Sequence, residues 1–456
     1  MKNNELLKIQ MEKLFLVSRR QLLVSTMGLA VTACNPEDAA IVTTNSDVID
    51  GYMQEQSYAP GDVALIYVNA KTQGRQKLSL QDVNGQEVFS FEAQVQPQVV
   101  TNTQPWAEGF GYVNPVIVTT PNVKSGIYFW NGKIRCIIRA QRNTTPSVAV
   151  VYPSNTEHAY SAMGGKSLYY PAGDLAVQVS FHRPWSKDVY FFSKSYYEWL
   201  VTQRDYNVGH ISDYDMDDYE NIRGAKLLVV IGHSEYWTRT ARLNFDRFVD
   251  EGCHALVLSG NTMWWQVRYS ENKDRMICYK GGNDPAAPAS SPLRTTNWFV
   301  SSLKYSILSS IGADTNYGGF GFRYTDLGWD GMRIVSASSP IFKGLNIKNG
   351  DILPLRTSEY DGAPLSGFAA NSDPIIDNVK LGFYRVDLIG FDRSYYKLDT
   401  TATWMVFQKK LSSGFVLNGA STDWGSANGI GGSDKARFKI IVRNMMDLLL
   451  QDVYPI

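Results

Sequence analysis

Residues 227–231, Leu-Leu-Val-Val-Ile, form an unbroken apolar run rich in β-branched side chains, closed by Gly232. Such a run fits a strand covered on both faces, as at the centre of a parallel sheet. His233, Ser234, Glu235, Tyr236 and Trp237 come next, and from Thr238 the segment TRTARLNFDRFVDEGC has the apolar spacing of an amphipathic helix. Leu243, Phe245, Phe248 and Val249 are expected to face the sheet. A second apolar run, ALVLSGN, follows at 255–261. Strand, helix and strand in this order predict a parallel pair joined by a crossover. Open α/β sheets gather ligands and catalytic groups at the carboxyl ends of their strands, which marks His233 and Glu235 as candidates.

The same grammar extends from about residue 147 to the end. VAVVYP (148–153) and GFVLNGAS (414–421) read as further strands, 193–206 as a helix, and SDKARFKIIVRNMMDLLLQ as a closing amphipathic helix. Each strand hands polar residues to its carboxyl end: Asn155 to Tyr160, then His233 and Glu235, then Asn261 and Thr262, then Ser421 to Asp423. Parallel strands share a direction, so these loops should meet on one rim. Residues 271–370 read as a loop-rich insertion with short strands between the last two sheet strands. Upstream, VALIYVNA, KLSLQDV, EVFSFEAQV and IRCIIRA alternate in character between turn signals, as an antiparallel β-sandwich does. The expected fold class is therefore α/β: an N-terminal antiparallel β-sandwich (51–145), then a largely parallel, Rossmann-like or amidotransferase-like sheet domain (146–456).

Residues 1–33 are expected to be a signal peptide and 34–50 a tether. Ser18-Arg19-Arg20 precedes Leu22-Leu23 and an apolar stretch too short to span a bilayer, the pattern of a twin-arginine export signal. The stretch ends in Val31-Thr32-Ala33-Cys34, which resembles a lipobox whose Cys34 is lipidated. The expectation is an exported protein, anchored by lipid in the bacterial cell envelope, periplasmic or surface-facing. Cys136, Cys253 and Cys278 cannot all pair and no C-x-x-C occurs, so neither a disulfide framework nor a thiolate zinc site is expected. The formal charge is zero, and removing the basic leader leaves a slightly acidic chain, which argues against a nucleic-acid partner. A homo-oligomer is compatible with the sequence.

His233 and Glu235 suit proton transfer or metal ligation. Gly232-His233-Ser234-Glu235-Tyr236 approaches a nucleophile elbow, but Tyr236 replaces the second glycine. The only histidine after Ser234 is His254, so the order serine, acid, late histidine is missing. With no H-E-x-x-H and few histidines, a metal would be held mainly by oxygen, and two phenolates would favour ferric iron over zinc.

The segment GHSEYWTRTARLNFDRFVDEGCHALVLSGNTMWWQVR resembles the signature of the N,N-dimethylformamidase large-subunit family. NTEHAYSAMGGKSLYY, the FHRP at 181–184 and SEYDGAP at 358–364 extend the likeness over roughly 145–425. The resemblance implies a mononuclear iron held by two tyrosines and a glutamate, hydrolysing an amide. Glu235 takes the glutamate's place, Tyr160 the first tyrosine's, and Tyr169 the second's, with Tyr170 as its alternative. His233 and Glu359 are implied as the proton-handling residues. Asn261, read from its residue type at a strand end, is expected as a turn residue or as a donor to the developing oxyanion. The implied partner is a small-molecule amide. A glycan- or ligand-binding lipoprotein without metal is the other expectation, with Trp237, Trp264, Trp265 and Trp424 stacking on sugar or packing a core.

Overall fold

The computed structural model describes residues 47–286, 288, 290–322 and 327–456. The expected signal peptide, Cys34 and all but the end of the expected tether lie outside them. Seven strands open the described chain: β1 (Val48–Met53), β2 (Val63–Ala70), β3 (Gly74–Gln81), β4 (Glu87–Val95), β5 (Val116–Thr119), β6 (Gly126–Trp130) and β7 (Ile134–Ile138). They form two antiparallel sheets, β1-β2-β5 and β4-β3-β6-β7. Between them lies a core that includes Ile66, Leu78, Leu80, Trp130 and Ile134. The first strand takes up the last three residues of the segment read as a tether.

The large sheet begins with β8 (Val148–Tyr152). A short strand, β9 (Gln178–Ser180), precedes β10 (Val208–Ser212) and β11 (Leu227–Gly232). Then come β12 (Tyr236–Thr238), β13 (His254–Ser259), β14 (Trp265–Tyr269), β15 (Arg275–Ile277), β16 (Gly319–Phe320), β17 (Met332–Ile334), β18 (Ile352–Leu353) and β19 (Glu359–Gly362). A hairpin of β20 (Leu365–Phe368) and β21 (Pro374–Ile376) stands apart. The last strands are β22 (Arg385–Tyr396), β23 (Leu398–Gln408) and β24 (Phe415–Asn418). The 11-stranded sheet is mixed: β10-β8-β11-β13-β24 run parallel, and β23, β22, β16 and β19 continue it antiparallel, with β17 and β18 beside β22.

Every residue of β8, β11 and β13 is buried, as a strand between two helical layers requires. The pleat sends Leu227, Val229 and Ile231 to one face, where they pack with helix α4 (Lys435–Leu450). Leu228 and Val230 go to the other face, against helix α3 (Arg239–Asp250). α3 starts where the Thr238 hydroxyl accepts from the Ala241 amide at 3.0 Å, an N-cap. Phe245, Phe248 and Val249 are buried, and each phenyl ring contributes roughly 1.5–3 kcal/mol by leaving water. Leu243, expected on that face, is instead 51% exposed, because it falls outside the stripe that the other three define. Two more helices matter for the site: α1 (Ser154–Tyr160) and α2 (Lys194–Leu200), the latter shorter than the 193–206 read from the sequence.

The sandwich joins this body through packing. Ile127, Phe129 and Ile137 turn outward from β6 and β7 into the same cluster as Val148, Val150 and Tyr152. Cys136, Cys253 and Cys278 are all free. Among the described residues, no helix is long and apolar enough to cross a membrane.

Candidate active site

β11 ends at Gly232, whose φ of +85° turns the chain sharply out of the sheet. A Cβ there would stand 3.0 Å from the Ser193 side chain, so glycine fits both the turn and the space. The turn drops His233, Ser234 and Glu235 into the interior; all three are buried. The Glu235 amide donates to the Thr156 hydroxyl at 2.9 Å, which ties this loop to α1.

Tyr160, the last residue of α1, points its hydroxyl at both candidates. It lies 3.1 Å from His233 Nε2 and donates to Glu235 Oε2 at 3.1 Å. Tyr169 donates to the other carboxylate oxygen at 2.6 Å, and its ring centroid is 4.2 Å from that of Tyr160. Tyr236 in turn donates to the Tyr169 hydroxyl at 2.7 Å. Of the two adjacent tyrosines, Tyr169 reaches Glu235, while Tyr170 is 37% exposed. Burial first, and the Glu235 charge second, push both the Tyr160 and Tyr169 phenols well above their ordinary range. Without a cation they remain hydrogen-bond donors to Glu235.

Glu359, the first residue of β19, enters the same space from the antiparallel part of the sheet. Its Oε2 is 3.8 Å from His233 Nε2 and makes no hydrogen bond, although it is fully buried. Burial raises its carboxyl above the usual range; His233 opposes that shift and Glu235 adds to it. Gly260, at the end of β13, lets Glu359 come this close: a Cβ there would lie 2.3 Å from the Glu359 carbonyl oxygen. Asn261 has a φ of +51°, and its side-chain oxygen accepts from Thr315 at 2.9 Å. Asn261 also opposes the burial-driven rise of the Glu359 carboxyl. Thr422 donates its backbone N–H to the Glu359 carbonyl at 3.2 Å, so all four strand-end loops meet here.

Ser234 has other work. It is 1% exposed, and its hydroxyl accepts from Trp237 Nε1 at 3.0 Å rather than meeting an imidazole. Trp237, Trp264 and Trp424 are buried in the interior, which leaves them no face for a sugar.

The donor chemistry fits a hard cation. Two phenol oxygens and a carboxylate stand 2.6–3.1 Å apart, and bonds of about 2 Å to one ion space neighbouring oxygens by roughly this much. The unpartnered Glu359 Oε2 beside them marks polar room that the protein does not itself fill. Among the described residues no three His, Cys, Asp or Glu side chains are grouped to hold a metal, so any metal site here depends on tyrosine.

Two further residues shape the site, and sequence reasoning passed over their roles. Lys280 places its Nζ 3.3 Å from the Tyr169 ring centroid and donates to the Leu168 carbonyl at 3.0 Å. Desolvation pulls its ammonium down to about 8, with Glu235 opposing. It sits in the loop-rich stretch after β15, where no pattern in the chain singles it out. Arg183, from the FHRP motif, is buried and donates to the carbonyls of Ser180, Ser161, Met163 and His158 at 2.8–3.1 Å. Three of those carbonyls belong to the end of α1 and the turn after it and the fourth, Ser180, to β9, so Arg183 ties the segment around Tyr160 to β9. The motif was visible in the sequence; its function as a clamp was not.

The fold comparison gives a ThuA-like protein from Bacteroides uniformis, at 11% identity and a TM-score of 0.32, covering 68% of this chain and 94% of that one. No curated protein sequence matches this chain. The family model described as N,N-dimethylformamidase beta subunit-like, C-terminal, matches residues 69–428, a span that starts inside the sandwich, well upstream of the motifs. This chain belongs to that family.

Proposed function

We propose that the protein is an iron-dependent hydrolase of C–N amide-type bonds in small molecules, exported and held at the cell envelope by lipid on Cys34. The observation that supports this reading most is the convergence of the Tyr160, Tyr169 and Glu235 oxygens in a buried, all-oxygen cradle. These three residues would hold the metal. When bound, ferric iron supplies Lewis acidity, polarising a carbonyl and making water more acidic.

The remaining groups handle orientation and protons. Glu359, with an unengaged oxygen and a carboxyl raised by burial, takes the proton of the attacking water and returns one to the leaving amine. His233 holds Nε2 toward Tyr160, Glu235 and Glu359, so it keeps the two carboxylates in register and can relay the proton between water and Glu359. The burial of these groups excludes bulk water and limits the site to small substrates.

Metal analysis of the purified chain tests the proposal. Stoichiometric iron with a visible tyrosinate-to-iron absorption, together with release of amine from small formamides or acetamides, is the expected result. Protein that takes up no iron under any loading condition overturns it. Cys34→Ala should move the protein from the membrane to the soluble fraction, and an unchanged distribution would remove the lipid anchor from the proposal.

A further inference from the structure

We infer that Arg135, on β7 of the N-terminal sandwich, is a positioning residue for Tyr160, so the sandwich is part of the site's framework rather than an appended module. The inference rests on the proposed function for what Tyr160 does, and on independent geometry for how it is held. α1 carries Glu157 one turn before Tyr160, with its side chain buried among groups from three elements. Arg135 Nε lies 3.2 Å from Glu157 Oε2, and both side chains are more than nine-tenths buried. The other carboxylate oxygen accepts from Trp185 Nε1 at 3.0 Å and from the Tyr152 hydroxyl. The Arg135 guanidinium also stands 5.1 Å from the Tyr152 ring centroid.

The next residue repeats the pattern. His158 Nε2 is 3.1 Å from the Gln56 side-chain oxygen, and Arg135 donates to that same oxygen at 3.2 Å. Gln56 and Arg135 both come from the sandwich, whereas Glu157 and His158 both come from α1. A buried ion pair is a poor source of stability, because desolvating both charges offsets most of their attraction. Its effect is geometric: the guanidinium offsets part of the cost of burying the Glu157 carboxylate only where the two meet, so α1 is registered against β7. Arg183 fixes the far end of the same helix from within the α/β body. Together the two arginines leave Tyr160 one orientation.

The test uses the full chain with Arg135→Met, Glu157→Gln and the double variant. Two readouts are taken: affinity for ferric iron with the tyrosinate absorption band, and hydrogen exchange of the metal-free protein over residues 154–163. Arg135→Met strands a buried carboxylate, so iron affinity should fall roughly tenfold or more with a shifted band. Exchange in 154–163 should accelerate while that of β11 and β13 stays unchanged. The double variant removes both charges and should recover band and exchange toward wild type, which a general loss of folding would not do. Wild-type affinity and exchange in Arg135→Met overturn the inference, as does a double variant no better than the single one. If the wild type binds no iron, the proposed function falls, and the exchange pattern alone decides whether Arg135 positions α1.

Discussion

The two halves of the large sheet reach the same buried cluster by different routes. In the parallel half, β8, β11 and β13 are buried throughout and mostly apolar, with His254 and Ser259 only at the two ends of β13, and the polar groups of the site wait in the loops beyond the strands. Tyr160, His233, Glu235 and Asn261 come from there. In the antiparallel half, polar groups sit within the strands: Glu359 and Asp361 lie in β19 and Asp392 in β22, all buried. The parallel half thus supplies a rim on which ligands converge, and the antiparallel half drives a carboxylate into that rim from the side. On the proposed function, Tyr160 and Glu235 of the parallel half hold the metal and Glu359 of the antiparallel half takes the water's proton, so these two roles should separate by mutation.

The strongest test of that separation is removal of a cradle oxygen. Glu235→Ala and Tyr160→Phe should each abolish stoichiometric iron and the visible band while leaving far-ultraviolet circular dichroism unchanged; full iron in either variant would break the assignment. Glu359→Gln should do the reverse, keeping iron and band while turnover drops by about 10²–10⁴. Iron lost from Glu359→Gln would mean that the antiparallel half also holds the metal.

The halves should also differ in how acid and base affect them. His210 on β10 is buried, and desolvation lowers its imidazole to about 4. The folded state keeps it neutral, so its contribution to stability is present above pH 6.5 and is lost as pH falls toward 4. Asp392 on β22 is raised to about 6, first by burial, with hydrogen bonds from Tyr360, Trp329 and Arg393 opposing. Folding favours its protonated form, so that contribution is present below pH 3.8 and is lost as pH rises through 6. Each amounts to about 3 kcal/mol at full extent. Urea unfolding across this range should show Asp392→Asn gaining stability above pH 6 and His210→Gln gaining it below pH 5. A flat response in both variants would erase the contrast.

Much of the parallel half was legible because its signals are local. A buried strand reads as an apolar run, and Gly232, the Thr238 cap and the stripe of Phe245, Phe248 and Val249 are each set by a few neighbours in sequence. The resemblance to the formamidase family named Tyr160, Tyr169 and Glu235, and the fold brings their oxygens together. The antiparallel half was not legible. β22 and β23, of twelve and eleven residues, pair along their length, but their sequences mix polar and apolar side chains, so no clean period emerges. Glu157 and His158, polar residues buried in α1, were illegible for a related reason. Their partners, Arg135 and Gln56, lie on the sandwich, and charge pairing across such a separation leaves no trace in spacing.

Lys280 belongs to neither half, which makes it the finest probe of how the cradle is tuned. It follows β15 in the small sheet β12-β14-β15-β9 and lies closest to the Tyr169 ring, 3.3 Å from its centroid, with the Tyr236 ring at 5.8 Å. A cation above an aromatic face favours the electron-rich form of the ring, so Lys280 should ease ionisation of Tyr169 and leave Tyr160 to Glu235 and His233. Cation–π attraction of this kind is worth about 0.5–2 kcal/mol, or roughly tenfold in a binding constant. Lys280→Met keeps the stem against Trp265 and removes the charge, and should weaken iron binding by about that factor with a shift in the tyrosinate band. Lys280→Arg restores the cation and should recover most of both. Methionine and arginine variants that behave alike would mean the stem, not the charge, is what Tyr169 requires, and the two tyrosines would then be equivalent ligands.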